Sequence, residues 1–516
     1  MAYNDTTTYG EILALSSNVL ADNDVFKTKK RELARIFLRR LLEPKDDAGD
    51  SELEATYKVC FPKNEVPKNS EEFWVFIEKE YLNLESEPQS KFAEISLRVH
   101  EDLVALTKNL KYIRREQKSL EEKKRDQGRL TAEERYYRNQ LEYFEKKNLV
   151  AKDEIVDFMA GGVKWWCIQK ASVNSPFSVN FGSSIIADNP YDFSRRTCWN
   201  SYDVTSLDNL SNKFTDLPAS AYSEVITECR NSPEKFKEIA IAYINGFPNE
   251  WLSVAEKIQA LIEKSHILAS RKAVILTMLQ HFKAKDYISF VSMAPLQIEG
   301  IFSDICREIG VSEVQLDISS LNDKLQHIDE KVRSFFFFEY YSFKFPVLRN
   351  LIAHGGLVDG ELEDTALQLM LDLLPVCNLT VSKDLPIVRA LEVVREAAGG
   401  APKKMVEWID LRESVKIPSF YSLHEDIKKI EENFTLQEFW DYLQSELNGI
   451  DAVEKLKKSE PMKVAGKVKS AGLAVEHAEK FLKSSGRIAS EAIKKRNEML
   501  ERVRELLKPE AKEPNE

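Results

Sequence analysis

The sequence predicts a predominantly all-α protein built from several domains. Most of its length carries apolar residues at alternating steps of three and four, glycine and proline are sparse at 18 each, and 516 residues exceed what a single hydrophobic core organises. Hydrophobic residues at 43% and charged residues at 30% describe a folded chain rather than a disordered one.

Residues 1–99 read as a region of short helices, the clearest being FKTKKRELARIFLRRLLEP, where Leu33, Ile36, Phe37, Leu38 and Leu41 share a face before Pro44. Residues 100–160 predict a charged helical hairpin. Leu103, Leu106, Leu110, Ile113, Gln117 and Leu120 form one seam, Gly128 breaks it, and Thr131 with Glu134 forms a capping box for a returning helix through Tyr137, Leu141 and Phe144. From Lys108 to Lys152 there are 14 Lys/Arg against 8 Asp/Glu, with four tyrosines interleaved. A solvated helical surface is the default for such a stretch; an RNA cradle using Lys111, Arg114 and Arg115 is the sharper reading.

Residues 161–232 lose helical period and mix aromatics with Ser, Asn, Gly and Pro, which predicts an irregular segment with minor β content, Trp165 and Trp166 serving as core anchors. Helical period returns over 233–385, continues through a helical segment at 386–450, and ends in a long basic helix with a frayed tail at 451–516. Residues 451–508 hold 15 Lys/Arg against 9 Asp/Glu, and Lys457 and Lys458 are its candidate RNA contacts, with pairing or partner binding as the default use of that helix.

Six cysteines, no two within 30 residues of each other, encode neither a CxxC knuckle nor a disulfide framework and suit a reducing compartment. The N-terminal MAYNDTTTYGEILALSS has no basic n-region, and no stretch reaches the ~20 apolar residues of a membrane span, so a cytoplasmic location without membrane contact is expected. A net charge of −11 excludes indiscriminate coating of nucleic acid, because that affinity comes from Lys and Arg displacing phosphate counterions. The chain contains no phosphate loop, HExxH, GxSxG or GxGxxG motif, and its other six histidines lie apart, so no metal or cofactor is expected.

Chemistry concentrates in PVLRNLIAHGG. Pro346 suits the first turn of a helix and Gly355-Gly356 its left-handed end, which places Arg349, Asn350 and His354 on one short helix. Asn350 and His354 stand one turn apart, and a helix C-terminus favours the imidazolium at His354 by about 0.3 to 1 kcal/mol when exposed. RNA supplies its own nucleophile in the 2′-OH; His354 is suited to move the proton, Arg349 to bind the charge growing on phosphorus, and Asn350 to orient the ring or bind a phosphate oxygen. Of the seven histidines, only His354 has an arginine five positions before it.

With the preceding helix PLQIEGIFSDI and the following amphipathic helix, this motif resembles the HEPN superfamily over about residues 265–385, under a quarter of the chain. That resemblance implies a bundle of four to five helices with an Arg-x4-His motif, as in abortive-infection and toxin proteins. It implies a metal-independent endoribonuclease of toxin or anti-phage type, acting on RNA such as tRNA. It also implies a homodimer, because family sites form where two such domains meet, and Glu299 as an auxiliary acidic residue. A regulatory or inhibitory protein partner would act through the flanking domains. The alternative is a non-catalytic helical scaffold, or a nucleotide- or RNA-binding module, that uses the bundle for dimerisation.

Overall fold

The computed structural model describes residues 8–44, 48–62, 65–172, 190–191, 201–246, 251–356, 362–449, 461–479 and 486–507. These are almost entirely helical, as the spacing of apolar residues predicts. The chain divides into two compact units, Met1–Asp208 and Asn209–Glu516, so the boundary falls inside the 161–232 segment. No helix among the described residues is long and apolar enough to cross a membrane.

The first unit contains α1 (Tyr9–Asp22), α2 (Lys30–Leu42), α3 (Asp50–Cys60), α4 (Ser70–Phe76), α5 (Pro88–Gln127), α6 (Ala132–Asp157) and α7 (Val163–Ala171). In α2 the face read from the sequence is the buried one: Leu33, Phe37, Leu38 and Leu41 lie in the core beside Tyr57, Phe73 and Trp74. The hairpin forms with α5 starting at Pro88. That helix has 40 residues and is about 60 Å long at 1.5 Å per residue. Leu106, Leu110, Ile113 and Leu120 are its buried seam. Gly128 ends it at φ 74, and Thr131 and Glu134 make the reciprocal capping box that opens α6.

The 161–232 segment departs from its expected texture. Among its described residues no strand forms; the one bridge there pairs Ser172 with Leu84. Instead, α7 and a helix at Ala219–Asn231 occupy its two ends. In α7 the buried side chains are Val163, Cys167, Ile168 and Ala171, which leaves Trp165 on the opposite side, 49% exposed, rather than in the core. Trp166 is half-buried, edge-on to Phe158. Nine residues are too few for helical period to stand out against two adjacent tryptophans.

The second unit continues with α8 (Ala219–Asn231), α9 (Pro233–Asn245), α10 (Val254–Ile262), α11 (His266–Ser270), α12 (Lys272–Lys283), α13 (Tyr287–Glu308), α14 (Glu313–Ile318) and α15 (Leu321–Lys331). It is completed by α16 (Phe338–Phe343), α17 (Phe345–Ala353), α18 (Leu362–Leu379), α19 (Pro386–Ala398), α20 (Pro402–Ser414), α21 (His424–Asn433), α22 (Gln437–Gly449), α23 (Pro461–Glu479) and α24 (Gly486–Leu507).

The four helical stretches expected between 265 and 385 all form, with α14 and α15 as additional turns between the second and third. Helix α18 is the centre of the bundle. It is buried on nearly every side, from Thr365 and Ala366 to Leu379, as a helix apolar all round must be, and it packs along α13 and against α9 and α10. On α13, Ile298, Ile301, Phe302 and Ile305 face inward. Helices α19 to α24 gather a separate cluster around Trp408, Phe434, Phe439, Trp440 and Met499. Lys457, Lys458 and the EAKEPNE tail lie outside the described residues.

Candidate functional site

Helix α17 carries the motif. Phe345 is its first residue and Pro346 its second, and both are buried, so the helix is anchored at its start against α16 and α13. Pro346 loses nothing by lacking an N–H in a first turn, where that group has no intrahelical acceptor. The other end is surface. His354 is the C-cap, its N–H donating to Asn350 O at 3.0 Å. Gly355 turns the chain at φ 67, and Gly356 N donates back to Leu351 O at 2.9 Å. Those two bonds satisfy carbonyls that the last turn would otherwise leave to solvent.

Arg349 points back toward α13. Its Nη2 donates to Glu299 Oε2 at 3.0 Å and its Nη1 to Asn350 Oδ1 at 3.1 Å. The structure therefore joins Arg349, Asn350 and Glu299, three of the residues singled out in the sequence. His354 belongs to the same helix but is exposed and directed elsewhere: five residues at 100° each place it about 140° around the axis from Arg349. Leu296, one turn before Glu299 on α13, is 61% exposed, and Leu351, 41% exposed, lies on the side of α17 that His354 leaves.

Neighbouring on α13, Arg271 makes a second guanidinium contact that sequence reading missed. Its Nε donates to Asp304 Oδ2 at 2.6 Å, Nη1 to Gln297 Oε1 at 3.2 Å and Nη2 to Gly300 O at 3.0 Å. Gly300 permits this, since a Cβ there would lie 2.5 Å from the Arg271 guanidinium.

The hairpin candidates belong to the other unit. Arg114 pairs with Glu145 at 3.2 Å, and Arg115 pairs with Glu116 at 3.1 Å while lying 5.0 Å over the Tyr112 ring. Lys111 is exposed. Lys118, Lys123 and Arg138 are likewise paired, with Glu122, Glu134 and Glu142, so five of the fourteen basic side chains of this stretch are engaged on the helices that carry them.

A second polar cluster had no signature in the sequence. Lys213 and Asp372, both fully buried, meet at 2.7 Å, and Lys213 Nζ also donates to Tyr340 OH and Asn212 Oδ1, each at 3.0 Å. Asn212 Nδ2 donates to Tyr341 OH at 3.0 Å and Asp372 Oδ1 at 2.9 Å, and Tyr341 OH donates to Asp372 O at 2.7 Å. Burial drives the Tyr341 phenol well above its ordinary value, so it stays a donor. The cluster pins the segment before α8 onto α16 and α18. Its three parts, Asn212-Lys213, Tyr340-Tyr341 and Asp372, lie 31 to 160 residues apart, beyond any local pattern.

No family model, no curated protein and no solved structure matches this chain.

Proposed function

We propose that this protein is a metal-independent endoribonuclease of the HEPN type, a toxin or anti-phage effector that cleaves RNA, tRNA among the candidates, by 2′-OH attack. The observation that carries this reading is the disposition of α17. One short helix, anchored at its start and open at its end, holds a guanidinium fixed by Glu299 and Asn350 together with an exposed imidazole at the C-cap. An arginine held by a neighbour presents its planar guanidinium ready for a phosphate, and an exposed histidine is free to exchange protons with a bound strand.

The divergence of Arg349 and His354 supports a site made by two copies. From one protomer the two side chains leave the helix about 140° apart; two copies related by a two-fold axis bring the Arg349 of one toward the His354 of the other. Leu296 and Leu351 would supply the apolar border of that contact. The scaffold alternative draws on the same ion pair: Glu299 already neutralises Arg349, as in a site that no longer receives an anion.

Incubation of the purified protein with total tRNA and mRNA in EDTA, followed by mapping of RNA ends, tests the proposal. Cuts with 2′,3′-cyclic phosphate ends that disappear in folded Arg349→Ala and His354→Ala variants are expected. Equal cutting by wild type and both variants removes the reading, and a folded dimer without cleavage favours the scaffold.

A further inference from the structure

Two connections hold the start of α19 and the strap between α20 and α21 to the bundle, and both end on one pair of side chains. Glu308, the last residue of α13, has a side chain only 3% exposed. Its Oε1 accepts from the backbone N–H of Ile387, at the start of α19, at 3.3 Å. Its Oε2 is buried without a hydrogen-bond partner and faces His266 Nε2 at 3.7 Å. On the other side of that ring, Tyr421 OH lies 3.0 Å from Nδ1 and accepts the His266 backbone N–H at 3.1 Å. The hydroxyl has a second lone pair for an Nδ1–H; in that tautomer Nε2 is bare and faces the proton of a neutral Glu308.

The strap that carries Tyr421 is tied at its two ends to the α19–α24 cluster by Ile417 and Leu423, and between them Tyr421 reaches the bundle. It is a single turn, Ser419–Tyr421, and the residue after it, Ser422, sits at φ 46, a left-handed conformation that L side chains rarely adopt. Phe420 beside it is exposed, and Tyr421 makes the hydrogen bonds to α11. We propose that Glu308 and His266 form a proton-operated latch: it holds the Tyr421 strap on the bundle while Glu308 carries its proton and releases it when that proton passes to solvent.

The charges around the pair set the direction. On α13 itself, Arg307 is engaged by Asp304 and Glu313, and Arg271 lies on Asp304. From α15, Lys331 Nζ donates to Ile309 O at 2.8 Å. From α19, Arg389 turns away to Glu407, leaving the Ile387 N–H as that helix's contribution. Tyr421 comes from the strap. Among the described residues, His266 is the one cation-forming side chain within ion-pair distance of Glu308.

Burial pushes the Glu308 carboxyl up to about 7, offset by the Ile387 N–H, and burial holds His266 below its ordinary value, opposed by Asp304. A carboxyl raised on folding contributes stability in full below the ordinary glutamate range and loses it as pH rises through about 7. A histidine lowered on folding contributes above its ordinary value and loses it as pH falls. The Glu308 contribution is therefore lost between the ordinary glutamate range and about 7, and Glu308 sets how the latch loosens as pH rises through that window.

Two measurements on the full chain test this. Carboxyl-carbon NMR of Glu308 should titrate near 7; a midpoint in the ordinary glutamate range overturns the proposal without recourse to any variant. Hydrogen-exchange protection of amides 416–423, taken relative to intrinsic rates, should fall by up to about tenfold per pH unit in wild type from the ordinary glutamate range up to about 7, the limit for one linked proton, and level off above it. Glu308→Gln, which imitates the protonated acid, should approach wild type as pH falls toward the ordinary glutamate range and keep its protection at pH 8.5. The same loss with rising pH in wild type and Glu308→Gln, or no loss in wild type, overturns it.

Discussion

Lys213 Nζ lies 2.7 Å from Asp372 Oδ1 with neither side chain reaching solvent, and every partner of the pair is itself an uncharged polar group in the core. Removing water from two charges is costly, and such a pair holds only while both members remain. Lys213→Met leaves Asp372 buried without its cation, at an expected cost of about 3 to 5 kcal/mol. A urea midpoint for the second unit within error of wild type would show that the pair is not formed in solution.

Gly246 and Gly128 share a positive φ, 69 and 74, yet differ in ψ, −179 against −20, and in what surrounds them. A Cβ on Gly128 meets nothing within 4 Å, whereas one on Gly246 would lie 2.5 Å from Trp251 O and 2.6 Å from Ser253 N, both backbone. Gly128→Ala should therefore cost about 1 to 2 kcal/mol from conformation alone. Gly246→Ala must also displace the chain entering α10, so its loss should be clearly the larger. Thermal unfolding of the two variants side by side checks the order, and equal losses contradict it.

These cases mark what the sequence made readable. The capping box at Thr131, the break at Gly128 and the Pro346-to-Gly355 limits of the motif helix are local in the chain, and each was legible because a few adjacent residues decide it. The ion pair between Glu299 and Arg349 joins positions 50 apart, and only the family resemblance singled out Glu299 beforehand. The Lys213 cluster and the Glu308–His266 pair were invisible, since long-range packing alone makes a lysine or glutamate a core residue. Trp165 was misplaced for the converse reason: aromatic character suggests burial, but which face of a short helix is buried is decided by its neighbours.

Glu299 separates a guanidinium that needs a hydrogen-bond acceptor from one that needs a charge. The pair is partly exposed, 37% and 22%, so solvent screening limits its worth to at most about 1 kcal/mol, and Glu299→Gln should leave thermal stability nearly unchanged. If the site cleaves RNA, Arg349 must be aimed as well as present. Glutamine retains an acceptor oxygen near Nη2 and alanine does not, so Glu299→Ala should reduce cleavage by about ten- to a hundredfold and Glu299→Gln by less. An increase in cleavage on either substitution would mean that Glu299 blocks Arg349 instead of positioning it.

The hairpin offers a test based on counterions. Each phosphate neutralised on single-stranded RNA adds about 0.7 to the slope of log affinity against log salt. Arg114 and Arg115 are already engaged by Glu145 and Glu116, so a strand that recruits them must first break those pairs, and the two carboxylates left behind repel it. Lys111, exposed on the same helix, carries no such penalty. Alanine at all three positions should therefore reduce the slope by about 0.7 or less. A reduction near 2 would mean that all three reach phosphates and that α5 is an RNA-binding surface despite its internal ion pairs.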